Sequence, residues 1–161
     1  MKTMVVLSDT HGNLDAVRQI ADVLSAADVI VHLGDGGGEA AYLMREYGEK
    51  VVSVTGNCDA FGVQEESTFE VDGVRFFACH GHKYGVKSDL LRLQLRAAEL
   101  GAQVALYGHT HDATCSRENG AYLVNPGTLL RYAAIKSFAY IVCHGGKVTV
   151  TINDKRFAQN Y

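Results

Sequence analysis

The chain has 161 residues, of which 47% are hydrophobic and 20% charged, and its formal net charge is −3, from 15 Lys and Arg against 18 Asp and Glu. This length and composition fit one globular domain covering residues 1–161 and exclude a disordered chain. The acidic balance argues against bulk binding of nucleic acid, and no apolar stretch approaches the roughly 18 residues that a membrane span needs. We therefore expect a cytoplasmic protein that does not act at a membrane.

Apolar runs of strand length alternate with segments of helical period in the first third of the chain. The predicted strands cover residues 4–7, 28–33 and 51–54. Between them, apolar spacing of three and four predicts a helix over 14–24, with Asn13 as its N-cap, and a second helix over 40–47, ended by Gly48. The order strand, helix, strand, helix, strand predicts two parallel, right-handed βαβ units.

The remainder of the chain is dominated by hairpin signals. Turn residues lie between apolar segments at Asp72-Gly73, Asn119-Gly120 and Gly145-Gly146. Between the first two turns, the apolar spacing from Leu90 to Leu100 predicts a third helix, and Val104–Tyr107 is predicted as a strand. We therefore expect an α/β protein with a mixed pair of sheets and helices outside them.

Residues of the kind that bind metal ions follow five of the predicted strands. They are Asp9, His11, Asp35, Asn57, His80, His109 and His111. Because ligands in open α/β sheets bind beyond the carboxyl ends of the strands, we expect these side chains to meet in one crevice. Two residues apart on an extended segment, as in Asp9-x-His11, side chains point to the same side and can hold one ion.

The donor types favour a pair of divalent ions. Carboxylate, imidazole and amide oxygen suit Mn, Fe, Zn or Co, and no thiolate needs to be invoked. Seven donors are too many for one tetrahedral ion, whereas two ions that share a bridging carboxylate use them all. Such a pair generates hydroxide and binds both the attacking and the leaving oxygen of a phosphoryl centre. The set therefore favours phosphate ester hydrolysis over peptide cleavage.

The same residues, with their neighbours, resemble the motifs of the calcineurin-like metallophosphoesterase superfamily. The motifs occur in the order Asp9-Thr10-His11-Gly12-Asn13, Gly34-Asp35, Gly56-Asn57-Cys58-Asp59, His80-Gly81-His82 and Gly108-His109-Thr110-His111. The short chain and Asn125-Pro126-Gly127-Thr128 are similar to the small phosphodiesterase branch, whose fold is shared with the small retromer subunit of vacuolar sorting. The resemblance implies a four-layer αββα sandwich of two mixed β-sheets flanked by helices.

The resemblance also implies a role for each position. One metal would be held by Asp9, His11, Asp35 and His111. The second would be held by Asp35, Asn57, His80 and His109, so that Asp35 bridges the two. A hydroxide bridging the metals would attack phosphorus, and Asn57 and His109 would stabilise the phosphoryl oxygens. Manganese is expected to serve best, with zinc, iron or nickel also accepted.

One position departs from the superfamily pattern and bears on the substrate. Many members carry a histidine, thought to protonate the leaving group, where this chain has Cys58. A thiol with a pKa of about 8.5 is a poor substitute, and the other candidates for the proton donor are Asp59 and a metal-bound water. We therefore expect activity on aryl phosphodiesters well above that on alkyl phosphomonoesters. Asn13 and His82 are candidate substrate contacts, although helix capping alone explains Asn13 and an exposed loop position alone explains His82.

Two other functions compete with a phosphodiesterase acting on small phosphodiesters. One is a non-catalytic, protein-binding scaffold of the same fold, and the other is a nuclease acting on short oligonucleotides. All seven ligand positions are filled, which favours the enzyme over the scaffold. The net charge and the lack of a Lys/Arg run weaken the nuclease hypothesis. The oligomeric state stays open, and a homo-oligomer is one of the alternatives.

Overall fold

The computed structural model describes residues 1–60 and 64–157. Its strands are β1 Lys2–Leu7, β2 Val29–His32, β3 Val51–Ser53, β4 Glu66–Val71, β5 Val74–Cys79, β6 Val104–Leu106, β7 Thr114–Glu118, β8 Ala121–Asn125, β9 Phe138–His144 and β10 Lys147–Asn153. Its α-helices are α1 Leu14–Gln19, α2 Ala21–Ala26, α3 Gly37–Tyr47 and α4 Leu91–Glu99. Short 3-10 helices lie at Gly48–Lys50, His82–Tyr84 and Lys155–Phe157.

The strands form two five-stranded mixed sheets, as predicted. The first sheet has the order β10-β9-β1-β2-β3, and the second has the order β4-β5-β6-β8-β7. Each sheet contains three neighbouring parallel strands, β1, β2 and β3 in the first and β5, β6 and β8 in the second. The other pairings are antiparallel. The three predicted hairpin turns join β4 to β5, β7 to β8 and β9 to β10.

The side chains of β1 show how the layers are built. Met4 and Val6 belong to the apolar cluster between the two sheets. Val5 and Leu7 point to the opposite face, where they pack with side chains of α1, α2 and α3. On the outer face of the second sheet, residues such as Phe77 pack against α4. Helix, sheet, sheet and helix thus form the four-layer αββα sandwich that the resemblance implied.

The first predicted helix differs in detail from the structure. Residues 14–24 were expected in one helix, but α1 and α2 are separated at Ile20, whose φ is −110°. The Ile20 N–H bonds to the Val17 carbonyl three residues back, which tightens the turn. The side chain of Ile20 is fully buried, so the apolar period continues through the break and hides it from sequence analysis. Among the described residues, no helix combines the length and apolarity needed to cross a bilayer.

Candidate metal centre

All seven predicted ligands converge beyond the carboxyl ends of the parallel strands. Each has a side-chain nitrogen or oxygen no more than 3.3 Å from that of another member of the set. The first sheet contributes Asp9, His11, Asp35 and Asn57. The second sheet contributes His80, His109 and His111. The crevice therefore lies where the two parallel triplets end side by side.

Asp9 carries a buried oxygen that has no hydrogen-bond partner within the described residues. Its Oδ2 accepts hydrogen bonds from Ser8 Oγ at 2.5 Å and from His109 N at 3.0 Å. Its Oδ1 has none, although His111 Nε2 and His11 Nε2 lie 3.1 and 3.6 Å away. A buried carboxylate oxygen without a donor is costly, and a cation held between this oxygen and the two imidazoles would remove the cost.

The imidazole of His80 also has a nitrogen without a proton that faces hydrogen-bond acceptors. Its Nδ1 lies 2.8 Å from the Leu33 carbonyl, which can only accept, so this nitrogen carries the proton. The lone pair on Nε2 then faces Asn57 Oδ1 at 3.0 Å, His109 Nδ1 at 3.2 Å and Asp35 Oδ2 at 3.3 Å. A second-shell hydrogen bond that fixes the tautomer of a histidine in this way is typical of metal ligands. The acceptors around Nε2 therefore also fit a cation.

Asp35 lies between the two groups of donors. Its Oδ2 is 3.3 Å from His80 Nε2 and 3.9 Å from His11 Nε2, which belong to different predicted metal sites. Its Oδ1 accepts a hydrogen bond from Cys58 N at 2.8 Å, which fixes the carboxylate. The sulfur of the exposed Cys58 also faces this centre, but desolvation and the hydrogen bond with Asp35 raise the pKa of the thiol, so it is protonated at neutral pH. The donor set fits two divalent ions that share Asp35.

Left-handed backbone is concentrated at this centre. Among the described residues, seven non-glycine residues have positive φ, and five of them are predicted ligands. The five are Asp9 at 52°, His11 at 42°, Asp35 at 56°, His109 at 70° and His111 at 65°. The other two, Asp72 and Asn119, lie in hairpin turns. Such conformations cost of order 1–3 kcal/mol each and persist only where surrounding contacts impose them, which is typical of functional sites.

Asp59 lies in a different environment from the one its predicted role as proton donor requires. Its two oxygens accept four backbone N–H groups at 2.8–3.0 Å, those of Asp35, Gly36, Gly37 and Gly56. Burial by itself would raise the pKa of Asp59, but these donors outweigh it and hold the pKa below its ordinary value. An ionised carboxylate saturated with donors is a poor acid. The structure therefore makes Asp59 a support for the Asp35 loop and argues against the predicted role.

The two predicted substrate contacts have different outcomes. Asn13 is buried, its Oδ1 accepts from Ala16 N at 3.3 Å, and its Nδ2 donates to the Leu129 carbonyl at 2.7 Å. Both ends of this amide are engaged, so the structure confirms the helix cap and argues against a substrate contact. His82 lies beside the centre, with ring-centroid distances of 5.4 Å to His80 and 6.1 Å to His109. Its Nδ1 is buried without a hydrogen-bond partner in the described residues, so it remains a candidate.

Sequence analysis missed residues that hold the ligand loops. Asn125 is fully buried, and its Nδ2 donates to the Gly108 carbonyl at 3.1 Å and to Thr110 Oγ1 at 2.9 Å. Its Oδ1 accepts from Gly127 N at 2.9 Å. The Asn-Pro-Gly turn marked this segment, but only the structure shows that the amide ties down the loop of two ligand histidines. Glu39, a buried acid in the first turn of α3, was also missed.

Comparison with known protein families and sequences supports the same chemistry. The model of the calcineurin-like phosphoesterase superfamily domain matches residues 1–147. The probable metallophosphoesterase YsnB of Bacillus subtilis is 31% identical over 156 residues, covering 94% of this chain and 90% of that protein. The phosphodiesterase YfcE of Escherichia coli K12 is 27% identical over 154 residues, covering 80% of each chain.

Solved structures share the fold over nearly the whole chain. A predicted phosphoesterase from Streptococcus pneumoniae superposes with a TM-score of 0.83 at 25% identity, covering 99% of this chain and 92% of that one. Vps29 from Entamoeba histolytica, in a structure complexed with zinc, gives a TM-score of 0.73 at 19% identity and covers 94% and 98%. At that identity the second likeness concerns the fold alone.

Proposed function

The chain belongs to the calcineurin-like phosphoesterase superfamily, and from this premise we propose that it is a phosphodiesterase that hydrolyses small phosphodiesters with two divalent ions. The observation that carries the proposal is the pair of donor groups that share Asp35. In the first group, the buried Asp9 Oδ1 has no hydrogen-bond partner within the described residues, and in the second, His80 Nε2 faces the side-chain oxygens of Asn57 and Asp35. The similarity to a protein named as a phosphodiesterase supports the diester class.

The two ions divide the seven ligands between them. Asp9, His11, Asp35 and His111 would hold the first ion. Asp35, Asn57, His80 and His109 would hold the second. Bound there, the ions would supply an activated water and Lewis acidity toward the phosphoryl oxygens. Manganese is the metal we propose first, and the same oxygen and nitrogen donors also accept zinc, iron or nickel.

Two histidines would contact the phosphoryl group from the protein side. When His109 uses Nδ1 toward the second ion, its proton resides on Nε2, at the opposite edge of the ring, where it can be donated to a phosphoryl oxygen. The ring of His82 lies 6.1 Å from that of His109, so it borders the same space. Preorganised donors of this kind stabilise the charge that develops in the transition state.

The leaving group departs without a strong protein acid. Cys58 occupies the position after Asn57, and the Asp59 carboxylate is saturated by backbone donors. General acid catalysis by a side chain typically contributes 10²–10⁴-fold. A substrate whose leaving group needs no proton loses nothing by this absence, so aryl phosphodiesters are the favoured class and alkyl phosphomonoesters are disfavoured.

The experiment that tests the proposal measures hydrolysis by metal-stripped protein before and after addition of Mn, Zn, Ni or Mg. We expect no activity without metal, the highest activity with Mn, and about 10²-fold or greater preference for an aryl phosphodiester over an alkyl phosphomonoester. His109→Ala abolishes the activity, and His144→Ala at the exposed end of β9 is the matched control.

Equal rates on the two ester classes would contradict the account of the leaving group. Wild-type activity in His109→Ala would contradict the assignment of that residue. A metal-loaded protein inert to every diester and monoester would favour the protein-binding scaffold, and preference for short oligonucleotides over small aryl diesters would favour the nuclease.

A further inference from the structure

We propose that Glu39 is a positioning residue for the first metal ion, acting through the Thr10 hydroxyl and the Gly12 N–H to hold Asp9 and His11 in ligating geometry. This inference rests on the proposed two-metal function. It concerns a carboxylate that is itself outside the ligand set.

Glu39 is buried and turned toward the loop that carries two ligands. Only 6% of the residue is exposed, although it lies in the first turn of α3, where an acid would ordinarily face solvent. Its Oε2 accepts hydrogen bonds from Thr10 Oγ1 at 2.8 Å and from Gly12 N at 3.0 Å. Glutamate is almost never buried to this extent unless it is paired, and here its partners are a side chain and a backbone amide of the β1 loop.

His32 fixes the direction of the hydrogen bonds in this network. Its Nδ1 accepts from Gly34 N at 3.2 Å, so the ring proton is on Nε2, which lies 3.0 Å from Thr10 Oγ1. The hydroxyl of Thr10 therefore accepts from His32 and directs its own proton to Glu39. The His32 ring, the Thr10 hydroxyl and Glu39 Oε2 thus form a continuous chain of buried hydrogen bonds, and a buried network of this kind makes the residues that it joins more rigid.

The network joins the loops that carry the ligands of the first ion. Thr10 lies between Asp9 and His11, and Gly34 immediately precedes Asp35. The backbone at these three ligands is left-handed, with φ of 52°, 42° and 56°. Because residues with a Cβ adopt this conformation only where the surroundings enforce it, the loops need support from outside themselves. The Glu39 network provides that support from α3 and β2.

Gly36 packs directly against the network. A Cβ at Gly36 would lie 1.8 Å from Thr10 Oγ1, 2.9 Å from Glu39 Oε2 and 3.0 Å from His32 Nε2. The absence of a side chain at this position is therefore what allows the three polar groups to meet.

Apart from the shared Asp35, the ligands of the second ion depend on other supports. His80 is oriented by the Leu33 carbonyl, and the loop that follows Gly108 is held by Asn125. Loss of the Glu39 network should therefore lower the affinity for the first ion much more than the affinity for the second. A general disturbance of the crevice would weaken the binding of both ions, so the ratio of the two affinities distinguishes positioning of the first ion from a merely structural role.

The test is a calorimetric titration of metal-stripped protein with Mn²⁺, with bound ions counted by electron paramagnetic resonance. Removal of a second-shell partner typically lowers metal affinity about 10–100-fold. In Thr10→Val, which keeps the shape and removes the hydroxyl, we expect one of two Mn²⁺ sites to weaken by that factor and the other to stay within about threefold. Glu39→Ala should likewise weaken one Mn²⁺ site and leave the other nearly unchanged. Thr10→Ser keeps a hydroxyl at this position and should bind both ions like the wild type.

Leu93→Ala is the matched control, because it removes a buried side chain from α4 on the opposite outer layer. It should lower stability and leave both Mn²⁺ affinities unchanged. The positioning role is overturned if Thr10→Val and Glu39→Ala bind both ions like the wild type, if both sites weaken equally, or if Thr10→Ser is as weak as Thr10→Val. A wild-type protein that binds neither Mn²⁺ nor Zn²⁺, Fe²⁺ or Ni²⁺ overturns the proposed function together with this inference. A wild type that binds two ions, with variants that bind them equally well, overturns this inference alone.

Discussion

The two sheets bring different chemistry to the same crevice. The first sheet supplies every carboxylate and the amide of the ligand set, and the second sheet supplies only imidazoles. Negative charge therefore comes from the loops after β1 and β2 alone, and neutral donors approach from the other side. We infer that the first sheet sets the charge available to bind cations, whereas the second completes the coordination and presents a donor to the substrate.

The loops of the two sheets are also held by different means. On the first sheet, carboxylates outside the ligand set accept hydrogen bonds from the loops: the partly buried Asp59 accepts four backbone N–H groups, and the buried Glu39 accepts one N–H and a hydroxyl. On the second sheet, the neutral amide of Asn125 bonds to the backbone and to Thr110. The comparison predicts that substitutions that change charge affect the centre mainly through the loops of the first sheet, whereas substitutions that change shape affect it mainly through the loops of the second.

Asp35→Asn gives the largest expected effect, because it removes one of the two charges and the oxygen shared by both donor groups. We expect kcat/KM for an aryl phosphodiester to fall by about 10³-fold at saturating Mn²⁺, the upper end for loss of one preorganised electrostatic group. Steady-state kinetics and a Mn²⁺ titration of the same preparation check the prediction, and both Mn²⁺ affinities should fall.

His111→Gln is the matched change on the second sheet. It removes a neutral donor that only the first ion uses, so only one Mn²⁺ affinity should fall and the kinetic loss should be smaller. If His111→Gln affected both ions as strongly as Asp35→Asn does, the division of charge between the sheets would be wrong.

The next largest effect comes from the protonation of His32, and it changes the stability of the protein rather than the rate of hydrolysis. Burial lowers its pKa from the ordinary 6.5 to about 4, so between these values the unfolded chain binds a proton that the folded chain excludes. The free energy of unfolding should therefore fall as the pH is lowered from 7 to 4, by about 3 kcal/mol from this residue. Denaturant unfolding of metal-free protein at the two pH values measures the fall.

The contribution of His32 is isolated by comparison with variants. In His32→Gln the fall between pH 7 and pH 4 should be smaller by about 3 kcal/mol, because the other groups titrate as before. His144→Gln, at the exposed end of β9, should retain the wild-type fall. Identical pH dependence in the wild type and in His32→Gln would show that His32 does not exclude the proton.

The ligands were accessible to sequence analysis because of where the chain places them. Donors such as Asp35 and His80 follow apolar runs directly, so their position at strand ends can be read without coordinates. Hairpins were equally accessible, since Asp72-Gly73 and similar turns require the positive φ that these residue pairs adopt. In both cases the signal lies within a few neighbouring residues.

The supporting residues were inaccessible because their partners are remote in sequence. Glu39 has the sequence context of an ordinary first-turn acid, and only its contact with Thr10, 29 residues away, gives it another role. Asp59 was interpreted as a proton donor because it follows Cys58, whereas its actual partners come from the Asp35 loop as well as from Gly56. Local pattern identifies what can bind a metal, and tertiary contacts decide which acids are free to react.

Asn125→Ala tests the second sheet and gives the smallest of these effects. The substitution removes two hydrogen bonds that tie the loop of His109 and His111 to β8, and a third that Asn125 accepts from Gly127 in its own turn. In the proposed arrangement these two histidines hold different ions, so both Mn²⁺ affinities should fall, each by about tenfold, the lower end for a lost second-shell partner. Thr149→Ala on the exposed edge strand β10 is the control and should leave both affinities unchanged. If each sheet holds its own loops, Thr10→Val lowers the affinity for one ion and Asn125→Ala lowers the affinity for both. If Asn125→Ala lowered the affinity for a single ion, one of the two histidines would be held by other contacts.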